Sequence, residues 1–202
     1  MQNLNLKIKL FLLILDAIQL FIATKNEFNT YLNQNPKMIK AIIFDWGDTV
    51  MRDYPELDTP MYTWEHVEYI PDIEQALQIL HKKYTMVIAT NAVQSDTAAM
   101  IKALERVGAE QYFGFFFSSK DLGYEKPDIR FFTTIADIII IKPEECIMLG
   151  NLYEKDITGA KDAGMKTILF DEKSTDIEYP KADQVIHSMK FLLKAIESES
   201  DS

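Results

Sequence analysis

The sequence predicts an α/β fold: a mainly parallel sheet with helices packed on both faces. Three observations carry this expectation. Continuous apolar runs occur at residues 39–45, 84–90, 113–118 and 146–150, the pattern of strands buried on both faces. Stretches with apolar residues at helical spacing alternate with these runs. Strands separated by helices pair in parallel, because each helix serves as the crossover.

The elements follow in order. The first strand, 39–45, leads into Asp45-Trp46-Gly47-Asp48-Thr49. Pro71 opens a helix through Ile73, Ala76, Leu77 and Leu80. Asp72 and Glu74 in its first turn and His81, Lys82 and Lys83 at its end complement the helix dipole. The second strand, 84–90, ends in Thr90-Asn91. Ser95 or Asp96 caps a helix with Met100, Ile101, Leu104 and Val107 on its apolar face, and Gly108 stops it. The third strand, 113–118, is rich in aromatics. Pro127 opens another helix, and Pro143 marks the loop after it. The fourth strand, 146–150, ends in Gly150-Asn151. A helix over 156–163 ends at Gly164. Short strands at 166–170 and 184–187 and a closing helix at 189–196 complete the pattern.

Three segments are expected: an N-terminal extension over 1–37, a main domain over 38–197, and a frayed acidic tail over 198–202. The extension has an apolar run, 10–15, interrupted by Asp16. It reads as dispensable or mis-started before Met38, as a docked amphipathic helix, or as an export or membrane segment. No membrane association is expected of the main domain, and the overall expectation is cytoplasmic.

Charge narrows the function. The chain carries a net −10. Lys7, Lys9, Lys25 and Lys37 against Asp16 and Glu27 give the first 37 residues +2, so the remainder carries −12. That field repels polyanions, and no nucleic-acid partner is expected. The single cysteine, Cys146, lies in an apolar run and reads as a buried structural thiol.

Polar residues collect at the C-terminal ends of the expected strands, where open parallel sheets bind ligands. Asp45, Thr90, Lys126 and Asp156 supply a coherent chemistry. A carboxylate can attack a phosphoryl group. A divalent cation shared by carboxylates offsets the repulsion. A hydroxyl and an ammonium hold the remaining oxygens. Taken singly, each residue has a plainer reading: a turn or helix cap, a strand-end threonine, a solvated lysine. The combination and its order make the signal.

From about residue 38 to 171 the chain resembles the haloacid dehalogenase-like (HAD) hydrolases. The resemblance rests on Ile42-Ile43-Phe44-Asp45-Trp46-Gly47-Asp48-Thr49-Val50 and on Val87-Ile88-Ala89-Thr90-Asn91. It continues in Gly123-Tyr124-Glu125-Lys126-Pro127-Asp128 and in Met148-Leu149-Gly150-Asn151 with Asp156-Ile157, Gly159-Ala160 and Ala163-Gly164-Met165. It implies a Rossmann-like three-layer α/β/α domain and a phosphohydrolase working through an aspartyl-phosphate on Asp45. It implies Thr90, Asn91 and Lys126 at the phosphate. It implies Mg²⁺ held by Asp45, the Gly47 carbonyl, Asn151 and Asp156.

Two positions depart from the family pattern. Gly47 stands where a second Asp usually acts as acid and base, and losing such a group typically costs about 10²–10⁴-fold in rate. The neighbouring Asp48 reads either as a substitute or as a turn residue. Asn151 stands where a metal-binding Asp is usual, which thins the metal shell.

Between Asp48 and Thr90 there is room for one helix and a short flap, 51–69, so the cap is minimal and the site open. The flap holds Asp53, Tyr54, Asp58, Met61, Trp64 and His66, which read as a packing cluster or as a grip on substrate. His66 is the histidine nearest the expected site; His81 and His187 read as element-end residues. Open sites act on large substrates or on small ones enclosed by an oligomeric partner, so a phosphorylated small molecule, a phosphoprotein and self-association are the expected partners. A weakened domain that only binds a phosphorylated ligand or a protein is the alternative. Carbon–halogen hydrolysis ranks last, because no extensive cap or basic pocket is found.

Overall fold

The computed structural model describes residues 38–91, 95–174 and 177–200. The readings of residues 1–37 and of the last two residues lie outside them.

Six strands form where the apolar runs lie: β1 (Ala41–Phe44), β2 (Thr85–Thr90), β3 (Phe115–Ser118), β4 (Cys146–Gly150), β5 (Lys166–Phe170) and β6 (Gln184–Ile186). Their order is β3-β2-β1-β4-β5-β6, and every pairing is parallel. The helices are α1 (Ile73–Leu80), α2 (Thr97–Val107), α3 (Ser119–Leu122), α4 (Ile129–Ile139), α5 (Thr158–Asp162) and α6 (Leu192–Ser200).

Strand side chains alternate between faces, and the core divides accordingly. Ile42, Phe44, Ile88 and Leu149 pack with residues of α1, α2 and α6. Ile43, Val87, Ala89 and Met148 pack with Phe131, Phe132 and Ile135 of α4 and Ala160 of α5. The three-layer α/β/α expectation holds, with the sheet wholly parallel.

Local differences have local causes. Helix α1 stops at Leu80, so His81, Lys82 and Lys83 follow it rather than fill its last turn. Asp72 precedes the helix with a φ of 68°, which leaves only Glu74 as the acid of the first turn. Asp96, not Ser95, caps α2 by accepting from the Ala99 N–H at 2.9 Å, and Gly108 ends the helix in the left-handed region. The helix expected at Pro127 starts at Ile129, capped by Asp128. The short α3 was not expected; the Ser118 hydroxyl caps it and Gly123 closes it.

The closing helix corrects the expected frayed tail. It continues to Ser200 because Glu199 is buried, accepting from Gln184 Nε2 at 2.9 Å and pairing with Lys166 Nζ at 3.0 Å. Among the described residues no helix is long and apolar enough to cross a membrane. Cys146 is fully buried, and burial pushes its thiol up to about 12. That leaves it unreactive, as read from the sequence.

Candidate active site

The chain adds β2 and β3 on one side of β1 and then crosses to add β4 on the other. This reversal opens a crevice at the C-terminal ends of β1 and β4, the usual ligand site of such sheets. Parallel register brings the ends together: Phe44 lies beside Leu149 and Ile88. The Asp45 N–H extends the ladder by donating to the Leu149 carbonyl at 2.9 Å. Asp45 follows β1, Thr90 ends β2, and Gly150 and Asn151 end and follow β4.

Lys126 is the hub. Its ammonium donates to Asp45 Oδ1 and Asp156 Oδ1, both at 2.6 Å, and to the Ala89 carbonyl at 3.1 Å. All three charged groups are buried, Lys126 at 3% exposure, Asp45 at 8% and Asp156 at 1%. Buried charges are stable only when paired. Two carboxylates and one ammonium leave a formal −1. Burial pushes the Asp45 carboxyl up to about 6; Lys126 pulls it down, and Asp156 adds to the rise. Burial works against the Lys126 charge, but Asp156 and Asp45 together raise its affinity for the proton.

Each member is held in place. Asn91 donates its amide to the Lys126 carbonyl at 2.9 Å and accepts the Lys126 N–H at 2.8 Å. This clamp fixes the loop that carries the lysine. Both ends of the Asn91 carboxamide are engaged with that backbone, and Asn91 also lines the recess between the flap and the strand ends. Asp156 sits in a π-helical turn, Tyr153–Ile157, and its second oxygen accepts the Leu152 N–H at 2.9 Å. Such turns insert a residue and re-aim side chains, often at functional sites.

Gly150 makes room for Asp156. A Cβ at position 150 would lie 2.3 Å from Asp156 Oδ2 and 2.4 Å from its Cγ. Gly150→Ala is therefore expected to push Asp156 off Lys126. The overpacking should cost about 1–3 kcal/mol, a fall of several degrees in Tm, with loss of any activity that needs the cluster. Thermal melts and turnover measured together check this; an unchanged melt would count against the close packing.

Asp48 takes the turn-stabilising role. Its φ is 51°, in the left-handed region that Asp tolerates. Its Oδ1 accepts from Arg52 at 3.2 Å and from the Asp53 N–H at 3.1 Å. Arg52 is itself paired with Glu172 at 2.8 Å. These bonds fit the turn-stabilising reading of Asp48.

Asp53 was named in the sequence only as a flap residue. The structure sets it against Gly47, where a Cβ would meet Asp53 Cβ at 3.3 Å and Oδ2 at 3.5 Å. Burial, helped by the nearby Asp48 charge, raises the Asp53 carboxyl above its ordinary value. No spacing rule gives this contact, because it depends on the left-handed turn at Asp48.

The flap, residues 51–69, packs beside the strand ends. Arg106 of α2 holds it by donating to the carbonyls of Tyr62, Trp64 and Glu65. Between flap and strand ends lies a recess of about 340 Å³, with Thr90, Gly47 and Asp53 among its walls. His66 is exposed, 3.6 Å from Glu68, and does not line this recess. His81 and His187 bond carbonyls at element ends, at Leu77 and Asp171.

Among the described residues no three His, Cys, Asp or Glu side chains converge as a metal cage. The oxygen-bearing side chains beside Lys126 are the Asp45 and Asp156 carboxylates, with the Asn151 amide oxygen reached through Thr49. Thr49 ties two of them together, its hydroxyl lying 3.5 Å from both Asp45 Oδ2 and Asn151 Oδ1. An all-oxygen set with net negative charge suits a hard divalent cation such as Mg²⁺.

Comparison with known proteins bears on this geometry. The family described as haloacid dehalogenase-like hydrolase matches residues 3–170. A glyceraldehyde 3-phosphate phosphatase of Methanothermobacter thermautotrophicus is 32% identical over 124 residues, covering 58% of this chain and 54% of that protein. A human N-acylneuraminate-9-phosphatase is 25% identical over 155 residues, covering 77% of this chain and 56% of that protein. The chain spans about half the length of the curated relatives it matches. A HAD phosphatase from Thermococcus onnurineus has a similar structure, with a TM-score of 0.64 at 18% identity, over 80% of this chain and 100% of that one. An uncharacterized protein from Listeria monocytogenes superposes with a TM-score of 0.72 at 22% identity, over 81% and 100%. These two likenesses speak to the fold.

Proposed function

This chain belongs to the haloacid dehalogenase-like hydrolases, and we propose that it is a phosphohydrolase that cleaves phosphate monoesters through Asp45. The observation that carries this reading is the buried ammonium of Lys126, 2.6 Å from both Asp45 and Asp156 at the strand ends. A buried lysine shared by two carboxylates keeps a positive charge beside a potential nucleophile. That charge offsets one of the two carboxylates and so lowers the repulsion an incoming phosphate dianion meets. Phosphatases among the relatives support the same reading.

The steps balance as follows. An Asp45 oxygen attacks phosphorus, the bond from phosphorus to the ester oxygen breaks, and the departing alkoxide takes a proton from solvent water. Water then attacks the phosphorus of phospho-Asp45, the bond to Asp45 breaks, and inorganic phosphate leaves with the carboxylate restored. Lys126 keeps its ammonium beside Asp45 throughout, and Thr90 at the recess wall orients the phosphate oxygens. Mg²⁺, when held by Asp45, Asp156, Asn151 and the Gly47 carbonyl, would shield the phosphate charge from the nucleophile. The substrate is a phosphorylated small molecule or a phosphoprotein.

The proton is the weak point. Gly47 has no side chain to give one, and Asp48 is engaged by Arg52 and the Asp53 N–H. Turnover is therefore slow and depends on the acidity of the leaving group. 4-Nitrophenyl phosphate, which leaves without help, is expected to react on the order of 10²–10⁴ times faster than an alkyl phosphate. A flat response across leaving groups would instead show a placed acid, with Asp53 the first residue to replace.

The test of the reading is chemical trapping. Wild type is mixed with Mg²⁺ and 4-nitrophenyl phosphate, quenched in acid and digested. Mass spectrometry is expected to find a phosphoryl group on the peptide containing Asp45. Turnover that persists in Asp45→Asn sinks the proposal. Binding of the ester with no phosphate release in wild type supports the second reading, a weakened domain, which Gly47 and Asn151 favour.

A further inference from the structure

The recess beside Thr90 differs in character from the phosphate end of the site. Its walls include Trp46, Tyr54, Met61 and Trp64. Trp46, Met61 and Trp64 are buried to 7% exposure or less. The Tyr54 and Trp64 rings stand 5.7 Å apart. Their polar atoms already have partners. The Trp64 indole N–H donates to the Thr59 carbonyl at 2.8 Å, the Trp46 indole N–H to Met51 Sδ at 3.3 Å, and the Tyr54 hydroxyl to Glu68 at 2.7 Å. What these rings offer a ligand is apolar surface, which suits another ring.

The charge of the recess is one-sided. Asp53 is its carboxylate, and among the described residues that line it there is no Lys, Arg or His. The flap carries Asp53, Glu56, Asp58, Glu65 and Glu68 against Arg52 alone, with His66 neutral. Nearby cations are engaged: Arg52 by Asp48 and Glu172, Arg106 by the flap carbonyls, and Lys102 over the Tyr62 ring. Asp53 therefore sets the charge of the recess among the described residues.

We infer that this recess takes the alcohol half of the substrate, that this half carries a ring, and that Asp53 excludes a second anionic group on it. The favoured esters are phosphate monoesters of neutral or cationic ring-bearing alcohols. Bisphosphates and phosphorylated carboxylic acids are disfavoured. The inference rests on the phosphohydrolase reading for which half of the ester is phosphate, and adds which alcohols fit. Coulomb repulsion between Asp53 and an anion about 4 Å away weakens binding roughly fivefold even at the dielectric of water, and more in a partly enclosed recess.

Binding can be tested apart from turnover. Trp46 and Trp64 are the only tryptophans of the chain, and both line the recess. Their fluorescence is followed in full-length Asp45→Asn protein with Mg²⁺ at low salt and pH 8. The ligands are phenyl phosphate, 4-(aminomethyl)phenyl phosphate and 4-carboxyphenyl phosphate. The first two are expected to change the fluorescence at concentrations at least about fivefold lower than the third. Adding Asp53→Asn is expected to shrink that gap to within about twofold. In the protein that keeps Asp53, added salt should narrow it by screening.

Equal or tighter binding of the carboxyphenyl ester overturns the inference. So does a gap that neither Asp53→Asn nor salt alters, or the absence of a fluorescence change with all three esters. Failure of the phosphohydrolase reading looks different: selective fluorescence changes in Asp45→Asn with no phosphate release by wild type. That result would retain the recess as a selective binding site.

Discussion

Asp45→Asn is expected to reduce phosphate release to background, a loss on the order of 10⁴-fold or more, and to make the metal-free protein more stable at pH 8. The first half follows from chemistry. A carboxamide has the shape of the carboxylate and can still accept from Lys126, but it cannot form the acyl phosphate. The second half follows from where Asp45 titrates. Burial pushes it up to about 6, above its ordinary value of 3.8. A group raised on folding favours the folded state fully below its unfolded value. That contribution is lost as pH rises through the folded value. By pH 8 wild type has lost all of it, whereas Asn mimics the neutral acid and loses nothing. The gain at pH 8 is about 3 kcal/mol at most, and it should vanish near pH 4. Melts at the two pH values, with a chelator present, check the sign. A variant less stable than wild type at pH 8 would mean that the Lys126–Asp45 contact is a net structural asset. The expected trade, stability given up for a charged nucleophile, is common at working sites.

What could be read in the chain, and what could not, divides along sequence distance. The strands were legible because each is a local apolar run. The convergence of Asp45, Lys126 and Asp156 was legible because parallel strands deliver their C-terminal ends to one edge. The brace on that convergence was not. Asn91 and Lys126 lie 35 residues apart, and the clamp between them exists only once β2 and the Lys126 loop are packed. Asp48 looked chemically available in sequence because its left-handed backbone, and so its bonds to Arg52 and the Asp53 N–H, is decided by the turn. The same turn sets Asp53 against Gly47. Glu199 looked like part of a solvated acidic tail. Its burial beside Gln184 and Lys166 depends on the closing helix packing against β5 and β6, a tertiary contact that no local run encodes.

Lys126→Met is expected to be the most damaging single change to both stability and activity. Met keeps most of the unbranched stem and its volume, so packing alone predicts a small loss. Electrostatics predicts a large one, because Asp45 and Asp156 would remain buried without their shared cation. Removing one partner from a buried ion pair costs about 3–5 kcal/mol, roughly 6–20 °C in Tm for a domain of this size. The loss should depend on pH in a stated direction. Asp45 is already raised to about 6 with Lys126 present, and it must rise further without it. Raised carboxyls stabilise the fold at low pH and cease to as they ionise, so the variant should approach wild type near pH 4 and fall away above pH 6. Adding Asp156→Asn to Lys126→Met removes one of the two uncompensated charges. It should restore much of the stability at pH 8 while restoring no turnover. Melts of wild type, the single and the double variant at pH 4 and pH 8 decide the matter. A loss equal at both pH values would assign Lys126 to packing rather than charge, and would take away the electrostatic reason for reading Asp45 as a nucleophile.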